Sequence, residues 1–195
     1  MKHVAITGGG GYIGGQTAIY FKEQGWKVTV VDRNNLPERL ESFVDTHLHD
    51  NFDDVEALKQ YATADAIIHC AGSSLVGPSI KNPSDYYENN FIATKRMLDY
   101  LCQFGYHPKF VFSSSAAVYG NPIAIPIAEE DPKLPISPYG ISKHMVEQLL
   151  ETYSEAYGLN YVGLRYFNAA GADPQGLSLI HISEPTRRRG MSYAV

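Results

Sequence analysis

Short apolar runs alternate along the chain with longer stretches in which apolar residues recur every three or four positions. The first run, Lys2 to Thr7 (KHVAIT), ends in a glycine cluster, and Gln16 to Gln24 then follows a helical pattern. Trp26 to Val31 (WKVTVV) reads as a second strand, Ser42 to His49 as a third, and Asn51 to Tyr61 as a helix. A fourth strand spans Asp65 to Cys70 (DAIIHC), and Asn82-Pro83-Ser84 opens a long helix that runs through Gln103. Pro108 to Phe112 (PKFVF) is a fifth strand. Asn121 to Pro138 holds five prolines and reads as an irregular crossing loop. A helix from Tyr139 to Tyr157 and a sixth strand from Tyr161 to Phe167 complete the pattern. This alternation predicts an α/β fold, a doubly wound parallel sheet ordered 3-2-1-4-5-6 with right-handed crossovers.

Composition narrows the function classes. With 195 residues, 44% of them hydrophobic and 19% charged, the chain has the makeup of an ordinary globular domain. A net charge of -5 argues against a nucleic-acid-binding surface, and the basic cluster Arg187-Arg188-Arg189 stands apart near the C-terminus. Cys70 and Cys102 are too few for a disulfide framework and fit a reducing compartment. The chain enters a strand pattern directly at its N-terminus, and no apolar run approaches a membrane span, so a cytoplasmic protein is expected.

Chemistry gathers where the strands end. Gly8, Gly11 and Gly14 give the spacing G-x-x-G-x-x-G between a strand and a helix. There the first glycine permits a tight turn, the second a close approach of backbone to pyrophosphate, and the third close packing of helix on strand. The helix N-terminus offers free N–H groups to phosphate. Asp32 ends the second strand 18 positions after Gly14, placed to accept hydrogen bonds from both ribose hydroxyls of an adenosine and to repel a 2′-phosphate, which favours NAD over NADP. Asp50, after the third strand, can meet an adenine amino group. His47 and His49 share one side of that strand, but no further ligands stand nearby and no metal site is expected. Ala71-Gly72-Ser73 leaves room at the end of the fourth strand, and Asn89 and Asn90 are polar positions in an otherwise periodic helix that could fix a backbone bend.

Ser113, Ser114 and Ser115 follow the fifth strand, at the edge where open parallel sheets bind ligands. Ser115 can hydrogen-bond a substrate oxygen, whereas Ser113 and Ser114 read as helix caps or backbone support. Tyr139 and Lys143 stand four apart on one helical face. An ammonium beneath the phenol would favour ionisation and turn a group that holds its proton to about pH 10 into a base near neutrality.

Four segments together carry a resemblance: TGGGGYIG at Thr7 to Gly14, SSSAAVYG at Ser113 to Gly120, SPYGISK at Ser137 to Lys143, and LRYFN at Leu164 to Asn168. They resemble the extended short-chain dehydrogenase/reductase superfamily, most of all its UDP-hexose 4-epimerases, over residues 1 to about 176. The resemblance implies a tightly held NAD and a transient hydride transfer at C4 of a UDP-hexose such as UDP-glucose or UDP-galactose, within galactose metabolism. By position it makes Tyr139 the base, Ser115 the hydroxyl that shares the sugar O4 proton, and Lys143 the residue that tunes the tyrosine and holds the nicotinamide ribose. Cofactor contacts would come from Gly8, Gly11, Tyr12, Ile13, Gly14, Asp32, Asp50, Ala71, Gly72, Asn90, Ser113, Tyr139, Lys143 and Tyr166, and substrate contacts from Ser115, Tyr139 and Asn168.

Two departures bear on this. Ser74 stands near where the family usually has a lysine, removing one possible phosphate contact. Ala116-Ala117 stands where sugar-nucleotide dehydratases carry an Asp-Glu pair, which counts against a dehydratase. Other epimerases, decarboxylases or reductases of sugar nucleotides, and a non-catalytic NAD-binding domain, remain as alternatives. A homodimer paired through the helices after the fourth and fifth strands is a further possibility. Leu177 to Arg187 departs from the family and is similar to an in-frame translation of a sequencing-library adapter. The expected organisation is therefore an NAD-binding domain at 1–176 and a non-native tail at 177–195, without most of the substrate domain and inactive alone.

Overall fold

A computed structural model describes residues 1–171; the expected tail at 177–195 lies outside the described residues. Six strands form one parallel sheet: β1 (His3–Thr7), β2 (Lys27–Val31), β3 (Thr46–Leu48), β4 (Ala66–His69), β5 (Lys109–Ser115) and β6 (Tyr161–Tyr166). Their order is 3-2-1-4-5-6, as the alternation of elements predicts. β1 and β4 lie at the centre and are buried almost throughout, which explains why they read as unbroken apolar runs rather than as alternating ones.

Successive side chains of a strand point to opposite faces, and two cores result. Val4, Ile6, Val28, Val30, Ala66 and Ile68 pack on one face against Ala18 of α1 (Tyr12–Glu23). Ala5, Val31, Ile67, Phe110 and Phe112 pack on the other face against α2 (Val55–Tyr61), and against the pair α5 (Ala93–Gln103) and α6 (Pro138–Tyr157) described below. On β6, Val162 and Leu164 remain 54% and 40% exposed, so that edge of the sheet is uncovered by the described residues.

Four elements differ from the sequence reading, three of them at the ends or breaks of helices and of β3. α1 starts at Tyr12, directly after Gly11, because the turn feeds straight into the helix and Gly14 and Gly15 are buried within it. The stretch expected as strand from Ser42 begins instead as a 3₁₀ turn over Glu38–Phe43, leaving β3 only three residues long. The long helix expected from Asn82 is preceded by α3 (Val76–Lys81) and is itself broken, into α4 (Pro83–Tyr86), a π-helical turn (Tyr87–Ile92) and α5.

β5 runs three residues further than expected, because Ser113, Ser114 and Ser115 pair with Leu164, Arg165 and Tyr166 of β6. The serines are therefore strand residues, and Ser115 alone acts as a cap, accepting from the Ala117 N–H at 3.2 Å to start a 3₁₀ turn over Ala116–Tyr119. α6 has the local signals of its position: Ser137 Oγ accepts from the Gly140 N–H at 3.1 Å, Pro138 occupies the first turn, and Gly158 ends the helix at φ 72°.

Candidate active site

The carboxyl ends of β1, β2, β4, β5 and β6 meet along one edge of the sheet, and the glycine turn lies at the centre of that edge. The Gly8 N–H donates to the Val31 carbonyl at 2.8 Å, and Gly8 has φ +71°, a left-handed conformation open to glycine at little cost. A methyl group on Gly14 would sit 2.3 Å from the Gly8 carbonyl oxygen, so the helix can approach the turn only without a side chain there. The first turn of α1 has no side-chain cap at Gly11, which leaves its N–H groups facing the edge. The Asp32 carboxylate reaches across to the same turn and accepts from the Gly10 and Asn34 N–H groups, both at 2.9 Å. Gly10 was not among the spaced glycines, yet a side chain on it would lie 2.9 Å from Asp32 Oδ2. Together these features make a cradle of backbone N–H groups with a carboxylate at one side, shaped to take a dinucleotide.

Tyr12 donates to the Gly171 carbonyl at 2.8 Å and so touches the turn beyond β6, while Ile13 is half-buried beside it. Asp50 is exposed past β3, its carboxylate accepting from the Asn51 N–H at 2.8 Å. Asn168 is exposed beyond β6. The rings of His47 and His49 stack at 5.7 Å, and no group of three or more potential metal ligands occurs among the described residues.

The second half of the site is built around the π-helical turn. Asn90 is 2% exposed, and its amide holds the loop after β4 at both ends: Oδ1 accepts from the Ser73 N–H at 2.7 Å, and Nδ2 donates to the Ser73 carbonyl at 3.0 Å. The same Nδ2 donates to Ser142 Oγ at 2.9 Å, and Ser142 donates to the Tyr139 carbonyl at 2.8 Å. A polar residue that fixes a backbone bend is thus what the structure shows at Asn90. Gly72, at φ +138°, lies so close that a side chain there would fall 2.7 Å from Asn90 Oδ1, and the Ala71 N–H faces Thr7 Oγ1 at 3.4 Å.

Tyr139 and Lys143 are both buried on the inner face of α6, at 9% and 5% exposure. Lys143 Nζ donates to the Ser113 carbonyl at 2.8 Å and lies 4.8 Å from the centre of the Phe112 ring. Burial lowers the lysine from its ordinary 10.5 to about 8, a nearby Cys70 opposing. The phenol of Tyr139 behaves differently from the sequence expectation. Burial pushes it above its ordinary value, a hydrogen bond with Ser115 pulls it down, and the nearby Tyr86 adds a smaller push upward. Lys143 donates to the Ser113 carbonyl, and the influences on the phenol are burial first, then Ser115, which opposes it. Tyr166 hydrogen-bonds Ser113, and burial raises its phenol too.

Ser114 has a different partner. Its hydroxyl donates to Glu147, and Glu147 takes Arg165 in a bidentate pair, Nε and Nη2 each at 2.9 Å. Arg165 also reaches Tyr119 Oη at 2.7 Å and the Glu129 carbonyl at 3.1 Å, which fastens the crossing loop to α6 and β6. Neither Glu147 nor Ser142 stood out in sequence. Glu147 lies one helical turn after Lys143, and Ser142 stands within the segment Ser137 to Lys143; those positions were the only signals available.

Comparison with known proteins agrees with this geometry. A model of the family described as NAD dependent epimerase/dehydratase matches residues 4–184. The chain is 46% identical over 178 residues to a UDP-glucose 4-epimerase of Halalkalibacterium halodurans, covering 89% of this chain and 52% of that protein. It is 34% identical over 194 residues to UDP-arabinose 4-epimerase 1 of Arabidopsis thaliana, covering 90% of this chain and 45% of the relative. Among solved structures, the UDP-glucose 4-epimerase of Brucella ovis in complex with NAD superposes with a TM-score of 0.83 at 38% identity, over 90% of this chain and 55% of that one. The chain thus spans about half the length of the relatives it matches.

Proposed function

We propose a function from the family to which this chain belongs, the NAD dependent epimerase/dehydratase family of extended short-chain dehydrogenase/reductase type: the whole protein interconverts UDP-glucose and UDP-galactose by inverting C4, in cytoplasmic galactose metabolism. The observation that carries this reading is the pair Tyr139 and Lys143, both buried on the inner face of α6 beside the sheet edge that bears the glycine cradle, with Ser115 near enough to lower the phenol. Residues 1 to 176 supply the cofactor half of the site, and the span alone binds NAD weakly at best and does not turn over sugar.

The chain fits NAD on its own geometry, since Gly8, Gly14 and Gly72 leave no space for a Cβ and Asp32 already orients toward the turn. The glycine turn and the first turn of α1 would receive the pyrophosphate, and Asp32 the adenosine ribose. Lys143, Tyr166 and the loop held by Asn90 would flank the nicotinamide end. When bound, NAD supplies a reversible hydride acceptor and a positive charge that favours the phenolate. Tyr139 takes the proton from the sugar O4 and returns it, and Ser115 shares that proton through its hydrogen bond. A phenol raised by burial gives the proton back readily, and Ser115 keeps it within reach of ionisation. With Ala116-Ala117 beside them, these groups lack the extra acid and base that water elimination requires.

Replacing Tyr139 with Phe in the full-length protein tests the assignment. Loss of a positioned acid–base group is expected to lower kcat by about 10²–10⁴-fold, with NAD affinity unchanged within about twofold. Epimerisation at the unaltered rate would refute the role of Tyr139. Net accumulation of reduced cofactor, or a decarboxylated or reduced sugar, would point to another reaction on the same scaffold.

A further inference from the structure

Behind the residues that face the site runs a line of buried polar groups. His69, the last residue of β4, is 1% exposed and lies among the rings of Phe52, Phe110 and Phe112. Its Nδ1 is 2.6 Å from Thr7 Oγ1, at the end of β1, and its Nε2 is 2.9 Å from Thr94 Oγ1, in the first turn of α5. Thr94 Oγ1 is also 2.6 Å from the Asn90 carbonyl oxygen. A carbonyl can only accept, so the Thr94 proton points there and Thr94 presents a lone pair to His69. Nε2 therefore carries the imidazole proton. Burial, with the charge of Lys143 adding to it, holds the ring neutral by lowering it to about 3, so Nδ1 accepts from the Thr7 hydroxyl. The Thr7 oxygen is then left to accept from the Ala71 N–H. Each proton in this line has one direction, and reversing the tautomer would set two acceptors face to face at Thr94.

We propose that His69 is a positioning residue: fixed as the Nε2–H tautomer, it joins the end of β1 to the π-helical turn and thereby sets, through Asn90, the loop 71–73 and the helix that carries Tyr139 and Lys143. Asn90 is where the line divides, one arm reaching both backbone groups of Ser73 and the other reaching Ser142. The two ends of the proposed dinucleotide site are thus tied together through Thr7, His69 and Thr94, all buried behind the residues that face it. The bearing on NAD rests on the function proposed above, whereas the tautomer and the coupling stand on the hydrogen bonds alone.

Long-range ¹H–¹⁵N correlation of the histidine-labelled chain measures the tautomer in the wild-type protein. His69 is expected to show a single Nε2–H pattern from about pH 5 to 8; an Nδ1–H pattern, or titration inside that range, overturns the proposal. Thr94→Val breaks the line at similar size, and Thr94→Ser keeps it. In Thr94→Val the Ser73 amide is expected to exchange at least about tenfold faster, while Val4 and Val30 stay within about twofold of wild type, and NAD should bind about tenfold more weakly. Thr94→Ser should restore both values to within about twofold. Uniformly faster exchange across the sheet would mean that Thr94 serves stability only, and an unchanged Ser73 amide would mean no coupling; either result overturns the proposal. If the wild-type chain failed to bind NAD, the function proposed above would fall, and the tautomer and exchange results would still decide this one.

Discussion

The two ends of the site are built by opposite means. Around the glycine turn, recognition belongs to the backbone: of the side chains classed as buried and polar among the described residues, only Thr7 and Thr29 precede β4. Around Tyr139 recognition belongs to side chains, with His69, Asn90, Thr94, Ser113, Ser114, Ser137, Ser142 and Lys143 all buried. The first region should tolerate changes of polarity and fail when atoms are added. The second should tolerate modest changes of shape and fail when a hydrogen-bonding partner is removed, because a buried group left unpaired costs about 1–3 kcal/mol.

The sharpest break of that contrast is Gly14→Ala. Its Cβ would meet the Gly8 carbonyl at 2.3 Å, a backbone atom that cannot turn aside. A loss of about 3 kcal/mol or more is expected in urea unfolding, together with loss of NAD binding. Stability and affinity equal to wild type would show that the turn does not depend on the missing side chain.

Lys143 probes the other region through pH. Burial holds its ammonium at about 8 rather than 10.5, so between those values the unfolded chain binds more protons than the folded one. Stability contributed at this position therefore rises with pH across the window. Wild type should gain on Lys143→Met by up to about 3 kcal/mol from pH 8 to 10.5, read from urea midpoints of both proteins. A difference that stays flat with pH would mean that the lysine is not held in a desolvated position.

The smallest effect is expected at the margin, where the clamp on the crossing loop is partly open to water. Glu147→Gln removes the charge that holds Arg165 and replaces one of the two acceptor oxygens of the bidentate pair by a donor, with Arg165 25% exposed. About 1–2 kcal/mol should be lost, seen as a fall in Tm of a few degrees. A loss as large as that of Gly14→Ala would erase the distinction between the two regions.

The backbone-built region was the more legible in sequence. Glycine spacing, apolar strands and Asp32 are local signals, and they were enough to place the turn, the strand order and the carboxylate that meets Gly10. Gly10 itself was hidden, because its role depends on a carboxylate 22 residues away. The side-chain region was legible only where a motif stood close in sequence, as at Tyr139 and Lys143. The tie between Ser114 and Glu147 spans 33 residues and that between Asn90 and Ser142 spans 52, and no spacing rule reaches so far. The raised phenol of Tyr139 was illegible for a related reason: four-residue spacing puts two side chains on one face but does not say how deeply the phenol is buried, and burial is the largest influence on it. The sequence places the serines after the fifth strand and not within it, because their strand pairing comes from β6, a partner that follows them by some fifty positions.

The π-helical turn over Tyr87–Ile92 has a consequence for how this chain can vary in length. A π-helical turn closes i→i+5 bonds and holds one residue more than the α-helical turn it replaces, so it takes up that residue without changing the face that α5 turns to the core. Removing the extra residue together with the bulge would leave Met97, Leu98 and Leu101 buried and the pair Lys95 and Asp99 exposed. The loss would be local, because the bulge carries Asn90, and a regular helix would re-aim its amide away from Ser73 and Ser142. The residue count of this turn is therefore tied to the site and not to the packing of α5.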